Sequence, residues 1–464
     1  DQGINAAYAR DGYMLAHVDG IRVDDQGVLH VHIVEGIVED IVPAGNKKTR
    51  DKVITREFVQ KKGKPFNKFL VRRSVERVYN LGFFDDVNVR MLPGDQDPNN
   101  VIIEIDVLEH KTGTITLGAG YSKSDGLMGI IEFGEDNFRG TGDKFKVHWE
   151  IGGKKKYKNY QISYLKPWID SKGTSLGFSF FNREDEYTDY NEDGNEVAEY
   201  NKKSRGFNIS FGRQTGEYTR DYLTLESRKD SYKWDSDDSS GYRYDTDAIS
   251  NTTGSGNDWN NTNPSTGGSW NFASNNYVKN NFGRINSITW QKVYDSRDNI
   301  YEPTRGRRIS YTAQWAGHGL GGDFDFYKFT AEARMYKKLG AKNVLAFRAR
   351  GGFIQGDAPY SQLFTLGGAD SLRGYEDDQF RGKYMYNATL EFRFPIVKKV
   401  SGVLFTDIGD AWDAPNVTWY NSKKTFNYGV GAGVRITTPI GPVKLDYGVG
   451  KHKNKFHFSF GTQF

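Results

Sequence analysis

The chain has 464 residues, with 63 Lys and Arg against 59 Asp and Glu and a net charge of +4; its length predicts two or more folding units, and so even a charge balance does not imply a nucleic-acid partner. Cysteine is absent, which excludes disulfides and thiolate metal sites and suits folding in an oxidising periplasm without covalent staples. Mean hydropathy is −0.69 and no run approaches the roughly 18 apolar residues of a membrane helix, yet 14% of residues are aromatic and 53 are glycine, as in a transmembrane barrel apolar on one side only or a large soluble all-β protein.

The first residues, Asp1-Gln2-Gly3-Ile4-Asn5, lack a basic segment followed by an apolar core. Any signal peptide is therefore expected to be gone, with the chain starting inside a longer protein. Residues 1–35 read as half of a structural unit: Tyr8, Gly12-Tyr13, a strand from Met14 to Val23, the turn Asp24-Asp25-Gln26-Gly27, and Val28 to Glu35. They run parallel to Tyr79, Gly82-Phe83, Phe84 to Leu92, Gly94-Asp95-Gln96-Asp97 and Val101 to Glu109, so the chain begins in the middle of a repeat.

The complete unit, residues 36–110, reads β-α-α-β-β. A strand at Ile37 to Ile41 precedes a helix around Asp51 to Lys61. From Pro65 to Asn80, Phe66, Phe69, Leu70, Val75, Val78 and Tyr79 recur at the spacing of an amphipathic helix, which Gly82 ends. Strands Phe83 to Val89 and Val101 to Val107 follow, joined through Pro93-Gly94-Asp95. Phe83 and Phe84 are expected in the core, between helix and sheet.

After Lys111 the helical period vanishes. Residues 111–464 alternate with period two, as in Lys144-Phe145-Lys146-Val147-His148-Trp149, in Tyr384, Tyr386, Ala388, Leu390, Phe392 and Phe394, and in Phe426, Tyr428, Val430, Ala432, Val434 and Ile436. The last set faces away from Asn427, Gly429, Gly431, Gly433 and Arg435. Apolar side chains out and small or polar ones in is what a barrel between lipid and a polar lumen requires.

Loop lengths decide against a soluble sandwich. Taking Thr114 to Tyr121 as the first strand, the connections after even strands are mostly tight: Arg139 to Gly142, Ile169 to Gly173, Gln214 to Tyr218, Leu339 to Lys342 and Thr437 to Pro442. Those after odd strands include Glu184 to Ser204, Asp235 to Asn276 and Gly356 to Gly382. Short turns at one end and long loops at the other mark an outer-membrane barrel. About sixteen antiparallel strands fit, and an even number returns both barrel ends to the periplasm. The Asp235 to Asn276 loop is too polar to form a core and is expected to lie solvated at the cell surface.

Between the strands Asn343 to Phe353 and Tyr384 to Phe394, residues 356–382 form a loop of a length that is uncommon unless it is functional or disordered. It carries Leu372-Arg373-Gly374-Tyr375. At the end of the chain Phe456, Phe458, Phe460 and Phe464 alternate with polar residues, and Gly461 interrupts the strand. Closing a barrel pairs Thr114, Leu117 and Tyr121 of the first strand with this last one. Gly461 fills no space and weakens local pairing, so this seam is expected to be less firm than other strand pairs.

Few signals of other chemistry survive inspection. Gly429-Val430-Gly431-Ala432-Gly433 lies within an alternating strand with no helix after it to receive a phosphate. Asp189-Tyr190-Asn191-Glu192-Asp193-Gly194 opens like a calcium loop, but Tyr200 stands where a bidentate Glu is needed. The eight histidines form no ligand pair at helical spacing. Lys154-Lys155-Lys156, at a surface-side hairpin tip, could meet lipid phosphates or simply be solvated. No catalytic constellation, cofactor site or metal site is read, and no enzymatic activity is expected.

Several segments carry a resemblance to a known family. Leu372-Arg373-Gly374-Tyr375 resembles the motif that BamA-type outer-membrane assembly barrels carry in a long loop folded back into the lumen. In that family the arginine meets carboxylates of the inner wall, and Glu391 in Leu390-Glu391-Phe392 and Asp407 in Phe405-Thr406-Asp407-Ile408-Gly409 match those positions. Residues 36–110, with their Gly-aromatic step after the second helix, resemble the family's periplasmic polypeptide-transport-associated (POTRA) module, and residues 1–35 the end of another. Glu135-Asp136-Asn137-Phe138-Arg139-Gly140-Thr141-Gly142 and Asp295 to Gly306 are similar to family turns. The Phe456 to Phe464 ending is similar to the C-terminal recognition signal of barrels handled by this machinery, with Gly461 standing where the family's own last strand carries a glycine.

The resemblance implies a mainly β protein of the bacterial outer membrane, a sixteen-stranded antiparallel barrel preceded by POTRA modules in the periplasm. Its implied role is to fold and insert other β-barrels without ATP. Implied partners are unfolded outer-membrane β-barrel clients, outer-membrane lipids including lipopolysaccharide, periplasmic chaperones and accessory lipoproteins. A translocation-assembly barrel or two-partner secretion transporter is the nearby alternative; a porin-like channel would need neither the arginine loop nor the repeats, and a surface adhesin would have the Asp235 to Asn276 loop as its active part.

Overall fold

The computed structural model describes residues 2–122, 126–152, 157–190, 194, 196–233, 282–299, 302–414, 423–438, 441–451 and 453–460. The chain divides into two compact units. The first comprises residues 1–117, 131–148 and 163–167, the second the remainder.

In the first unit a helix α1 (Gln2–Arg10) leads into a hairpin of β1 (His17–Val23) and β2 (Leu29–Val34). A β-α-α-β-β module follows: β3 (Val38–Ala44), α2 (Asp51–Thr55), α3 (Lys68–Tyr79), β4 (Phe84–Pro93) and β5 (Val101–Glu109). Its sheet has the order β3-β5-β4, with β3 parallel and β4 antiparallel to the central β5. Phe58, Phe66, Val71, Val78, Phe83 and Phe84 fill the space beneath the helices against Ile103 and Ile105. Asn67 caps α3 by accepting from the Phe69 and Leu70 amides, and its Nδ2 donates to Asp11 O at 3.0 Å.

The first helix of the module is shorter than its expected span of Asp51 to Lys61. Polar partners draw the backbone out of the helix after Thr55. The Ser74 hydroxyl accepts from the Val59 and Gln60 amides, and the buried Gln60 amide bonds Asn67 N, Pro65 O and Lys61 O. Likewise β1 begins at His17, not Met14.

Sixteen strands form one antiparallel sheet. They are β6 (Gly113–Ser122), β7 (Gly126–Phe138), β8 (Asp143–Gly152), β9 (Tyr157–Lys166), β10 (Ser175–Tyr190), β11 (Glu196–Gln214), β12 (Thr219–Lys233) and β13 (Arg284–Asp295). Then come β14 (Gly306–Ala316), β15 (Phe326–Leu339), β16 (Asn343–Gly356), β19 (Tyr384–Val397), β20 (Val400–Trp412), β21 (Asn427–Thr438), β22 (Gly441–Val449) and β23 (Asn454–Phe460). Neighbours in sequence are neighbours in the sheet, which runs in order from β6 to β23. Between β16 and β19 the chain makes β17 (Phe364–Leu366) and β18 (Phe380–Gly382), a small hairpin of their own.

The expected loop from Glu184 to Ser204 is instead mostly ladder. β10 and β11 stay paired from Ser175↔Gly212 out to Tyr190↔Glu196. Register explains it: Glu184 stands opposite Lys203, so a residue that reads as solvated charge gains a cross-strand partner of opposite sign. The Asp235 to Asn276 loop, Lys154-Lys155-Lys156 and Asn191, Glu192 and Asp193 of the calcium-like stretch lie outside the described residues.

The turn joining β7 to β8 belongs to the first unit and is pinned to the module. Arg50 N–H donates to Gly140 O at 2.9 Å and Asn137 Nδ2 to Thr49 Oγ1 at 2.7 Å. A Cβ on Gly140 would lie 1.8 Å from Lys48 O, and φ there is +71°; only glycine permits that approach. In the second unit, the turn from Asp295 to Gly306 is organised by Asp298. Its carboxylate accepts from the Thr304 hydroxyl and from the Asn299, Thr304 and Arg305 amides. Burial opposes ionisation, but these bonds prevail and hold its pKa at about 2.

Candidate functional site

Along β19 the exposed Tyr384 and Leu390 alternate with the buried Met385, Asn387, Thr389 and Glu391. One face of the sheet is thus apolar and open, while buried polar groups line the other and need partners. The segment from Gly356 to Gly382 supplies them. It folds onto the polar face with a one-turn 3-10 helix (Tyr360–Gln362), the β17–β18 hairpin and an apolar centre of Phe364, Leu366, Leu372, Tyr375 and Phe380 packed with Phe326, Ile354 and Ala411. The expected long loop is therefore a folded insert with its own core.

Leu372 is fully buried in that core, which fixes the direction of Arg373. Arg373, 3% exposed, grips Asp407 with two parallel bonds, Nε to Oδ2 at 2.7 Å and Nη2 to Oδ1 at 2.9 Å. Its Nη1 donates to Glu391 Oε1 at 2.8 Å and to Asp446 Oδ2 at 3.3 Å. The guanidinium stacks over Phe405, 3.4 Å from the ring centre. Three carboxylates converge as they would on a metal ion, but the arginine occupies the centre with a planar fork matched to carboxylates. Two further arginines balance the charge: Arg393 pairs with Glu391 at 2.7 Å and Arg435 with Asp446 at 2.5 Å. Among the described residues no group of three or more acidic or histidine side chains is set to hold a metal.

Glycines let the insert approach this closely. A Cβ on Gly429 would lie 1.9 Å from Arg373 O, and one on Gly448 would lie 2.5 Å from Gly374 N. Gly374, at φ +97°, donates its N–H to His457 Nε2 at 2.9 Å. Tyr375 OH donates to Tyr428 O at 3.1 Å and accepts from Lys451 N at 3.0 Å. Beside this network the polar side of β23 opens on a cavity of about 610 Å³, whose lining includes Arg334, Arg348 and Arg350 and, from the insert, Asp370, Asp377 and Asp378.

The structure thus brings Leu372, Arg373, Gly374, Tyr375, Glu391 and Asp407 together. Asp446, His457 and Arg393 also belong to the site and were not singled out by the sequence, and Arg435 was read only as facing away from the apolar set of its strand; period-two alternation does put Asp446 on the face opposite Leu445 and Tyr447, and His457 on the face opposite Phe456 and Phe458. Among the seam residues, Thr114, Leu117 and Tyr121 lie on β6, and Phe456, Phe458 and Phe460 on β23. Gly461 and Phe464 lie outside the described residues. β6 and β23 are the two ends of the sheet order. Ile115 and Leu117 are 73% and 75% exposed and Phe456 and Phe458 62% and 66%, against 41% for Trp290 on β13 and 51% for Leu404 on β20. In the sheet order β6 stands next to β7 and β23 next to β22.

A sixteen-stranded antiparallel sheet with one open apolar face, a polar face covered by a folded arginine insert, and a small α/β module ahead of the first strand in sequence define a transmembrane β-barrel of the bacterial outer-membrane type. Residues 137–464 match the model of the Omp85 superfamily domain, and residues 37–110 that of the POTRA, or surface antigen variable number, repeat. The chain belongs to the Omp85 superfamily. It is an integral outer-membrane protein with its POTRA region in the periplasm.

Among curated proteins it is similar to the outer membrane protein assembly factor BamA of Nitratidesulfovibrio vulgaris, 26% identical over all of this chain and 57% of the relative. The BamA of Neisseria meningitidis serogroup B is also 26% identical, over 94% of this chain and 58% of the relative. The chain thus spans somewhat over half the length of these relatives. Among solved structures, BamA from Haemophilus ducreyi lacking POTRA domains 1-3 superposes with a TM-score of 0.69 at 20% identity, covering 100% of this chain and 94% of that one. CdiB from Escherichia coli gives 0.66 at 14% identity, covering 100% and 83%. At such identities these two matches speak for the fold alone.

Proposed function

We propose that this chain is part of an outer-membrane protein assembly factor that folds and inserts β-barrel clients by strand exchange at the seam between β6 and β23. The physical problem is that an unfolded client strand carries unpaired N–H and C=O groups that cannot enter hydrocarbon. An edge strand at membrane depth can pair with them, and the client strand in turn satisfies the edge. No covalent bond is made or broken, so neither a catalytic residue nor a cofactor is required.

One observation carries the reading: the sheet order ends at β6 and β23, whose outward apolar side chains are the more exposed. The arginine insert would brace the wall while the seam works. Unfolded outer-membrane proteins are the proposed clients, with outer-membrane lipids including lipopolysaccharide, periplasmic chaperones and accessory lipoproteins as further partners.

The test uses the absence of native cysteine. A Leu117→Cys, Phe458→Cys pair, bridged where the Cα atoms come within ~7 Å, is expected to arrest client insertion, and reduction to restore it. Full activity with the bridge formed would exclude seam opening and favour an export barrel working through its lumen. Depletion separates the classes: general loss of outer-membrane barrels supports assembly, whereas loss of one secreted client supports export.

A further inference from the structure

The terminal strand is held by more than its ladder. Three consecutive residues of the insert reach the β22–β23 hairpin: Gly374 N–H donates to His457 Nε2 at 2.9 Å, Tyr375 OH accepts from Lys451 N at 3.0 Å, and Glu376 forms an ion pair with Lys455. A Cβ on Gly374 would lie 2.6 Å from Gly450 N, so backbone meets backbone here without an intervening side chain. The residue before them, Arg373, is locked to Asp407 of β20, Glu391 of β19 and Asp446 of β22. β23 has a sheet partner in β22; the insert gives it a second set of attachments, from the polar side.

We propose that His457 is a positioning residue which latches the terminal strand to the arginine insert, so that β23 cannot move at membrane depth without first releasing Gly374. The donor is a backbone N–H, so Nε2 must be unprotonated and the ring neutral with its proton on Nδ1. Around the ring stand Asp446 opposite it on β22, Lys455 on its own strand and Arg373 and Glu376 on the insert; Arg334, Arg348, Arg350, Asp370, Asp377 and Asp378 line the adjoining cavity. Both the accepting nitrogen and the glycine are necessary: a leucine at 457 keeps bulk but strands the buried Gly374 N–H, whereas the amide oxygen of glutamine can still accept.

Amide hydrogen exchange of the full chain in a bilayer reads the latch without clients, so its outcome is independent of whether the barrel inserts proteins. His457→Leu is expected to speed exchange in residues 454–460 about tenfold, the equilibrium worth of one buried hydrogen bond, with β19 and β20 unchanged, while His457→Gln stays within about twofold of the parent. Should the leucine variant fail to fold, Tyr375→Phe removes the neighbouring tie and is expected to speed exchange at Lys451. Parent-like exchange in the leucine variant, equal behaviour of leucine and glutamine, or an unchanged Lys451 in Tyr375→Phe would each overturn the latch.

Discussion

Replacing Arg373 by alanine removes the one cation within ion-pair distance of Asp407 among the described residues. The other two carboxylates are better placed, since Glu391 keeps Arg393 and Asp446 keeps Arg435. The loss therefore concentrates on Asp407, which is 1% exposed and would be left as an uncompensated buried charge, a change worth about 3–5 kcal/mol. Stacking over Phe405 adds about 0.5–2 kcal/mol. Arg373→Ala should thus lower the free energy of unfolding in denaturant by about 3–5 kcal/mol or slightly more, and lower the temperature at which the folded barrel loses its fast mobility on gels. Most of that cost is the stranded charge, so adding Asp407→Asn to Arg373→Ala should recover a substantial part of it, as non-additivity in a double-mutant cycle. A single mutant within about 1 kcal/mol of the parent, or a double mutant no better than the single one, would refute the account.

Phe84, 3% exposed between helix and sheet, should cost roughly 3–5 kcal/mol on truncation; Phe84→Ala is expected to expose residues 37–110 to proteolysis while the barrel stays resistant, and an equally resistant module would count against its core assignment. Asp298 has a folded pKa of about 2 against 3.8, so its contribution is complete above 3.8 and is lost as pH falls towards 2. Amide exchange at Thr304 and Arg305 should accelerate across that window, beyond the intrinsic pH effect, and Asp298→Asn should abolish the extra dependence; acceleration above pH 5 instead would point to a different group.

Much of this architecture is written in local patterns. Alternation alone separates Tyr384, Leu390 and Phe392 from Asn387, Thr389 and Glu391, because a strand side chain has only two directions to choose from. The Gly-aromatic step Gly82-Phe83 likewise marks the module's core. What local pattern could not supply was pairing across distance. Asp446 and His457 lie 73 and 83 positions from the residues they bond, Arg373 and Gly374, and many polar-face residues are equally plausible until register is known. The β10–β11 extension was hidden for a related reason: Glu184 and Lys203 each look solvated alone and become a pair only when the hairpin aligns them. The early end of α2 depends on Ser74, a residue of the next helix, and so was equally invisible.

The glycines under the insert carry a consequence for anyone wishing to transplant parts between barrels of this kind. Gly429 and Gly448 form a floor that has no room for a methyl group, and Gly374 and Gly450 meet above it backbone to backbone. Lock and key are thus encoded in separate segments that cannot be exchanged singly. An arginine insert moved into a barrel with alanines on that floor would sit proud of its carboxylates, and this wall given a bulkier insert would hold it no better. A chimera that keeps these contacts must import residues 356–382 and the β19–β23 wall as one piece, so the natural unit of exchange is not the loop.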